Sequence, residues 1–461
     1  LGQPERLREA LARTSGLPQT TELLQDCLTK LCQSRLLLIS GGPGSGKTTL
    51  LSSLLRILRR AEQDSESWRK LEWVLCAPTA RAAQRMLQSM DIAGDAAELP
   101  KAQTLHKLLG LGWSAAEFYR PATRDGQAYL SAKGVGLLRL DILVLDEASM
   151  LDSEMAYRLF QRLHPQTHVI LIGDPQQLPP VGLGAFWKDL LASGTVSHCL
   201  IELQGSHRST VKIRELGESV LQGEGPSSLL KAAGPAGKTI SWHPIALSAN
   251  SEHNFLHYLW QNWCPHPPNI RGNTEEDIEP YFQWLRNYTI LSPLQRGTGG
   301  AQAISQRLLQ YAKQGFSGGS GFFHGCPLQI TRNDYRLGLY NGDRGFCLDF
   351  NSQLYGVFAK ESDEQGEPYL WMPMAHLAHC EASFVQTIHK SQGSEYLNVC
   401  VLLPEQVGSW SKPLLYTAIT RAKEHICFVG SEAALEVLDI MLRQTGRNEP
   451  LSLFGWSPEK T

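Results

Sequence analysis

A glycine-rich segment that ends in a lysine and two threonines carries the most specific chemistry in this 461-residue sequence. Glycines let backbone N–H groups come close to phosphate oxygens, and a following helix adds positive potential at its N-terminus. Lys47 supplies a point charge for the terminal phosphates, and the Thr48 hydroxyl is a ligand that Mg²⁺ accepts. The run GGPGSGKTT therefore predicts a loop for a nucleoside triphosphate and Mg²⁺, formed by Gly41, Gly42, Pro43, Gly44, Ser45, Gly46, Lys47, Thr48 and Thr49.

Two adjacent carboxylates supply the second half of this chemistry. Asp146 and Glu147 directly follow the apolar run DILVL, and the carboxyl ends of parallel strands face the ligand in open α/β sheets. We expect Asp146 to hold Mg²⁺ and Glu147 to orient or deprotonate the attacking water. A strand that ends in Asp-Glu is common by itself, so this interpretation depends on its pairing with the phosphate loop.

The elements that must position these groups are visible as short apolar runs. Each run is continuous rather than alternating, which is typical of parallel strands covered by helices on both faces. Between the runs lie helix-length amphipathic stretches, and in Thr48–Arg60 the leucines repeat along one stripe. The sequence predicts an α/β fold repeated in two halves, with strands at Leu36–Ile39, Trp73–Ala77, Ile142–Leu145, Val169–Ile172, Tyr288–Leu291, Val399–Leu403 and Ile426–Val429.

We expect the first domain to cover residues 1–205 and the second to cover residues 206–461. Stretches rich in Gly, Pro and Ser are interpreted as connections or linkers. Those at Gln222–Lys238 and Cys264–Asn273 are expected to join the halves, and Gln314–Gly325 to be a flexible linker.

Two inserts are predicted within these domains. Residues 326–380 change to short strand-like pieces with an Asn341-Gly342 turn signal, which indicates a small β-barrel inserted in the second domain. Residues 111–136 are expected to form a small hairpin in the first domain.

Composition excludes some classes of protein. The formal net charge is −2, which argues weakly against a protein that coats DNA but allows a motor that grips one strand in a local groove. The ten cysteines include no CxxC pair, so metal binding by cysteine is not expected. No apolar run approaches the roughly 18–20 residues that cross a bilayer, and no secretory signal opens the chain. The sequence therefore predicts a soluble, cytoplasmic protein without a membrane partner.

Further short motif segments follow the phosphate loop along the chain. They are CAPTARAA (Cys76–Ala83), QTLHKLLG (Gln103–Gly110), LDEASMLD (Leu145–Asp152), LIGDPQQLPPV (Leu171–Val181), LQGSHRS (Leu203–Ser209), QTIHKSQGSEY (Gln386–Tyr396) and LLYTAITRAK (Leu414–Lys423). Their order resembles that of superfamily 1 helicases, and the form DEAS is typical of the RecD branch, the exodeoxyribonuclease V alpha subunit family. A further segment, RNDYRLGLYNGDRG (Arg332–Gly345), is similar to the barrel segment of that branch.

The resemblance implies roles for individual residues. Two RecA-like parallel-sheet domains, with a barrel of the Src-homology-3 type in the second, would bind ATP and Mg²⁺. The expected catalytic residues are Lys47, Glu147, Gln177 as a γ-phosphate sensor, and Arg208 and Arg421 as arginine fingers. Beside the nucleotide we expect Gly393 and Glu395, with Gln25 nearest to the position of the family's adenine-reading glutamine. The expected DNA contacts are Pro78, Thr79, Thr104, His106, Thr387 and His389.

The resemblance also implies a function. It predicts an ATP-dependent 5′–3′ DNA helicase, or single-strand translocase, that acts on single-stranded DNA and 5′-tailed duplex DNA. RecB- and RecC-like subunits are the implied partners, in a helicase–nuclease of double-strand break repair and recombination. The alternative is an accessory structural subunit of a nuclease complex with little ATPase of its own. About 40 residues precede the phosphate loop, where the family usually carries an additional N-terminal domain, and this leaves room for the alternative.

Overall fold

The structure is a computed structural model in which the chain divides into two compact units, Leu1–Arg208 and Ser209–Thr461. It describes residues 4–14, 16–63, 71–79, 82–83, 86–87, 102–110, 137–205, 209–247, 251–264, 275–313, 321–334, 336–359, 368–406 and 408–444. The predicted hairpin over 111–136 lies outside these residues.

The first unit is built on a six-stranded sheet in which every pairing is parallel. Its strands are β1 (Leu36–Gly41), β2 (Trp73–Ala77), β3 (Ala102–Thr104), β4 (Ile142–Leu145), β5 (His168–Gly173) and β6 (Leu200–Leu203). They lie in the order β3-β2-β4-β5-β1-β6. The strands that carry the phosphate loop and the Asp-Glu pair, β1 and β4, are therefore separated by β5.

Helices cover both faces of this sheet, as the continuous apolar runs predicted. Leu37 and Ile39 pack against one group of helices, and Leu38 between them packs against the other. The helix after the phosphate loop buries its leucine stripe, including Leu50 and Leu54. The helices of this unit are α1 (Pro4–Arg13), α2 (Thr21–Ser34), α3 (Lys47–Gln63), α4 (Leu105–Leu108), α5 (Ser153–Arg162) and α6 (Phe186–Ala192).

The second unit contains a parallel sheet and an antiparallel sheet. Its strands are β7 (Ile240–Pro244), β8 (Tyr288–Ser292), β9 (Cys326–Ile330), β10 (Arg344–Phe350), β11 (Gln353–Ala359), β12 (Tyr369–Pro373), β13 (Cys380–Ala382), β14 (Val385–Thr387), β15 (Tyr396–Leu403) and β16 (Ala422–Gly430). The parallel sheet has the order β14-β8-β15-β16-β7, and the antiparallel sheet has the order β12-β11-β10-β9-β13. All the strands predicted from the apolar runs are confirmed.

The antiparallel sheet lies where the small barrel is predicted. Its closure into a barrel of the Src-homology-3 type stays a prediction, because no pairing between β12 and β13 occurs in the described part of the chain. The Asn341-Gly342 pair does form a turn, in which Asp343 N–H donates to Tyr340 O at 3.0 Å and Gly342 has φ of 98°. The two-residue hairpin turn is elsewhere, at Asn351 and Ser352 between β10 and β11, where φ is 51° and 63°.

The second unit corrects two interpretations of linkers. Gln222–Lys238 contains a helix and lies inside this unit, so it does not join the halves. Cys264–Asn273 falls inside the same unit, and only Cys264 of it is among the described residues. The flexible linker at Gln314–Gly325 stays a prediction, because only residues 321–325 are described, and there Phe323 lies 6.1 Å from Trp260 between ring centroids. The helices are α7 (Val211–Gln222), α8 (Ser227–Ala233), α9 (Glu252–Trp263), α10 (Glu275–Asn287), α11 (Ala301–Lys313), α12 (Lys412–Ile419) and α13 (Glu432–Gln444). Among the described residues, none of the helices has the length and apolar character to span a membrane.

Candidate functional site

The phosphate loop turns tightly from β1 into α3, and its glycines are required by that path. Gly44 and Gly46 have φ of 73° and 89°, a region that residues with a Cβ rarely adopt. A Cβ on Gly41 would lie 2.5 Å from Ser45 Oγ and 2.9 Å from the carbonyl oxygen of Leu203 on β6. The loop is therefore a close-fitting backbone cradle that larger residues would distort.

The ammonium of Lys47 lies against the carbonyl oxygens of its own loop. Its Nζ donates to Gly41 O at 2.7 Å and to Gly42 O at 2.8 Å. These carbonyl oxygens are neutral acceptors, and the charged oxygens of a phosphate would form stronger hydrogen bonds with the ammonium. The Ser45 hydroxyl is buried in the loop without a partner among the described residues, so the cradle holds a polar group that a ligand could satisfy.

The carboxylate pair follows β4 in a strained turn. Glu147 has φ of 54°, in the left-handed region, and its N–H donates to Asp146 Oδ1 at 2.8 Å. Such a conformation costs roughly 1–3 kcal/mol and recurs at functional sites. The Thr48 hydroxyl and the Asp146 carboxylate are hard oxygen donors, the type that Mg²⁺ prefers. Together with the glycine cradle, this donor set fits a nucleotide with Mg²⁺.

A third carboxylate, Asp174, belongs to this site and was missed from the sequence. It directly follows β5, the strand between β4 and β1, and only 1% of its surface is exposed. Gln176 N–H donates to its Oδ1 at 2.9 Å. Burial raises the pKa of the Asp174 carboxyl, while the positive charge of Lys47 acts to lower it. The negative charge of Glu147 acts in the same direction as burial, so Lys47 and Glu147 both lie within electrostatic reach of Asp174.

Gln177, the predicted phosphate sensor, is held by Asp174. Its Nε2 donates to Asp174 Oδ2 at 3.2 Å, and only 7% of the residue is exposed. Its Oε1 is buried without a partner in the part of the chain that the structure describes. The amide nitrogen of Gln177 is therefore engaged by Asp174, whereas its amide oxygen can accept a hydrogen bond from a ligand.

The sequence did contain a signal for Asp174. The triplet Gly-Asp-Pro follows a predicted strand, just as Asp146-Glu147 does. The sequence did not reveal the order of the strands in the sheet, because spacing along the chain does not show that β5 lies between β4 and β1.

In the first unit, the predicted DNA contacts lie at the carboxyl ends of β2 and β3. Thr79 Oγ1 accepts from Ala82 N–H at 3.2 Å, after the half-buried Pro78. Thr104 Oγ1 accepts from Lys107 N–H at 3.2 Å and so caps α4, while His106 is exposed. Each threonine stabilises a turn at the carboxyl edge of the sheet, which is also the edge at which the phosphate loop lies.

In the second unit, Thr387 ends β14 and is 5% exposed, and its Oγ1 accepts from Lys390 N–H at 3.2 Å. His389 lies in the following turn with much of its surface exposed. The part of its ring that is buried lowers the pKa of the imidazole. The hydroxyl of Thr387 is thus engaged in a hydrogen bond with the backbone, whereas the imidazole of His389 is accessible to solvent.

Arg421 is buried, at 3% exposure, and its guanidinium ties two motif segments of the second unit together. Its Nε donates to Thr417 O at 3.1 Å and its Nη1 to Ser394 O at 3.0 Å. Nearby, Glu395 forms an ion pair with Lys423 at 3.3 Å. Gly393, in the same loop, has φ of 69°.

No contact among the described residues connects Gln25 or Arg208 with the phosphate loop. Gln25 is exposed on α2, whereas Gln19 before that helix accepts from Ser53 Oγ on α3 at 2.5 Å. Arg208 lies outside the described residues. The roles of both stay predictions.

Comparison with known proteins gives matches in both units. Residues 25–183 match the AAA domain family, and residues 382–429 match the UvrD-like helicase C-terminal domain. The RecBCD enzyme subunit RecD of Mycolicibacterium smegmatis is 31% identical over 89% of this chain and 71% of its own length. The subunit of the same name from Haemophilus influenzae is 29% identical over 89% of this chain and 69% of its own. The ATP-dependent RecD2 DNA helicase of Deinococcus radiodurans is 26% identical over 92% of this chain and 51% of its own length.

Proposed function

The chain belongs to the RecD family of ATP-dependent DNA helicases, and on that premise we propose that it moves along single-stranded DNA with 5′–3′ polarity and opens 5′-tailed duplexes. The observation that best supports the ATPase within this function is the strand order β4-β5-β1, whereas the polarity rests on the family resemblance alone. This order brings Glu147, Asp174 and Lys47 to the carboxyl edge of three neighbouring strands, where hydrolysis of a nucleotide requires a base and a cation.

The first unit supplies the groups that bind and hydrolyse ATP. The glycine cradle and Lys47 hold the phosphates. Thr48 with Asp146 would hold Mg²⁺, whose positive charge would stabilise the negative charge that develops on the phosphates. Glu147 accepts a proton from the attacking water. Gln177, oriented by Asp174, accepts a hydrogen bond from that water and so limits its orientations.

Two arginines are proposed to act on the terminal phosphate, Arg421 in the second unit and Arg208 at the end of the first. Both would stabilise the charge of the γ-phosphate, as arginine fingers do. A ligand that interacts differently with two conformations shifts their populations. Binding and hydrolysis of ATP can then drive alternation between two grips on the strand, to which Pro78, Thr79, Thr104, His106, Thr387 and His389 contribute.

The names of the RecD relatives motivate a proposal about partners. Those proteins are subunits of RecBCD enzymes, so we propose that this chain assembles with RecB- and RecC-like subunits in the repair of double-strand breaks. The chemical groups of an active ATPase are all present in the sequence, which favours a motor over a purely structural accessory subunit.

The test measures ATPase activity with and without single-stranded DNA, and strand separation on duplexes with a 5′ or a 3′ tail. We expect strong stimulation by DNA and unwinding of the 5′-tailed duplex. Lys47→Ala should lower kcat by about 10²–10³-fold, because it removes a preorganised cation from the phosphates. Lys188→Ala, an exposed lysine of α6, is the matched control and should behave as wild type. Unwinding of only the 3′-tailed duplex would overturn the polarity, and a fully active Lys47→Ala would overturn the mechanism.

A further inference from the structure

A five-residue sequence occurs twice, once in each unit. Gln103–Lys107 reads QTLHK and Gln386–Lys390 reads QTIHK. The copies differ only in an exchange of one branched apolar residue for another. Each copy ends in a lysine that none of the roles proposed above uses.

The two copies occupy equivalent places in the two sheets. The first begins in β3 and the second in β14, and each of these strands is the edge strand of its parallel sheet. In both copies the threonine is the last residue of the strand. Thr104 lies in register with Ala77 of β2, and Thr387 with Ser292 of β8. The repeat therefore marks the same position at the carboxyl edge of each sheet.

The local geometry is repeated as well. Each threonine hydroxyl accepts from the N–H of the lysine three residues on, at 3.2 Å in both units. Leu105 and its counterpart Ile388 are buried, at 1% and 0% exposure, and anchor the turn. With the threonine and the apolar residue committed to the fold, the lysine of each copy is left on the surface.

Within the described parts of the chain, the charges of these lysines are not neutralised. Among the described residues, no carboxylate lies within ion-pair distance of Lys107 or Lys390. Lys390 Nζ donates to the side-chain oxygen of Gln329 at 2.9 Å, and this neutral amide orients the ammonium without cancelling its charge. An exposed ammonium without a neighbouring carboxylate is suited to bind an anion from outside the protein, although the chain as a whole has a net charge of −2.

We propose that Lys107 and Lys390 are equivalent contacts to DNA, each binding one phosphate of the single strand. This inference rests on the proposed function and assigns two residues to it. Lysine binds phosphate as a point charge and reads no base, so the contacts are independent of sequence. Because the repeat occurs once in each parallel sheet, each unit contributes one such phosphate contact.

The experiment measures the affinity of the full chain for oligothymidylate and for a mixed-sequence strand over a series of salt concentrations. Each phosphate that a lysine neutralises makes the negative slope of log affinity against log salt steeper by about 0.7 for single strands, because part of a condensed counterion is released. Lys107→Ala and Lys390→Ala should each make the slope shallower by about 0.7 and the double variant by about twice that, equally for both strands. Lys107→Arg and Lys390→Arg should keep the wild-type slope.

Two exposed lysines serve as matched controls, Lys188 on α6 and Lys231 on α8. Lys188→Ala and Lys231→Ala should leave the slope unchanged, and thermal melting checks that every variant is folded. The inference is overturned if Lys107→Ala or Lys390→Ala is folded and keeps the wild-type slope. That result is distinct from failure of the proposed function, in which the wild-type chain itself shows no DNA-stimulated ATPase.

Discussion

Asp174 accepts a hydrogen bond from the side-chain amide of Gln177 at 3.2 Å, and both residues are buried beside the phosphate loop. Because the amide nitrogen is engaged by the carboxylate, the amide oxygen is the atom left to interact with a ligand. An oxygen acceptor suits the hydrogen of a water molecule and is repelled by phosphate oxygens. The pair is therefore suited to orient the attacking water, and a direct contact of Gln177 with the γ-phosphate stays a prediction from the family resemblance.

Replacing Asp174 by Asn tests this pair. An amide at position 174 can donate to Gln177 and so allows its side chain to turn, and kcat should fall by about 10²-fold while the affinity for ATP changes little. The steady-state ATPase rate as a function of ATP concentration separates the two quantities. Asp189→Asn on α6, which is exposed, is the control, and an unchanged kcat in the Asp174 variant would contradict the assignment.

The same variant should also stabilise the fold. Burial raises the pKa of the Asp174 carboxyl, so the folded state favours the protonated form more than the unfolded state does. The stability from this group is present at low pH and is lost as pH rises through the raised pKa. Asn resembles the protonated form, and Asp174→Asn should therefore melt at a higher temperature than wild type at neutral pH. A lower melting temperature would mean that the interaction with Lys47 outweighs the cost of burial.

Arg421 should be needed for stability as well as for catalysis. Its guanidinium donates to Thr417 O and Ser394 O, and lysine cannot reproduce that fork. Arg421→Lys should lower the free energy of unfolding by about 1–3 kcal/mol, measured by chemical denaturation. Lys423→Ala removes a partly exposed ion pair two residues on and should cost less than about 1 kcal/mol. Equal effects from the two variants would refute the structural role.

The threonine cap in the second copy of the repeat can be tested without touching a charge. Thr387→Val keeps the shape of the side chain but loses the acceptor for Lys390 N–H, which should cost about 1 kcal/mol in free energy of unfolding. Thr387→Ser keeps the hydroxyl and should recover most of that loss. If Val and Ser variants unfold at the same denaturant concentration, the hydroxyl does not act as a cap.

His168, at the start of β5, should make the first unit sensitive to acid. Burial is the main cause that lowers the pKa of its imidazole from 6.5 to about 4, and the charge of Arg35 is one of the smaller contributions in the same direction. The unfolded chain therefore binds the proton more readily, and stability that is present above pH 6.5 is lost as pH falls toward about 4. His168→Gln should reduce the drop in melting temperature between neutral and acidic pH. His198→Gln, at an exposed position, should leave that drop as in wild type.

Much of the site could be predicted because its chemistry depends on residue type and close spacing along the chain. The phosphate loop, the Asp-Glu pair and the apolar runs all lie in continuous segments. Local sequence also specifies strands and helices well where an apolar run is long, and the observed strands agree. Short edge strands such as β3 and β14 carry too few residues to show a pattern, and so they were not predicted.

The amino-acid sequence by itself determined the chemical groups, the two parallel sheets and the family. Only the tertiary structure decided that Asp174 joins Glu147 and Lys47, because the order β4-β5-β1 arises from pairing between segments far apart in the chain. It also decided which polar groups are already used: the hydroxyl of Thr387 caps a turn, and the guanidinium of Arg421 binds backbone carbonyls. Hydrogen bonds and burial depend on neighbours in space, and these are set by packing rather than by spacing along the chain.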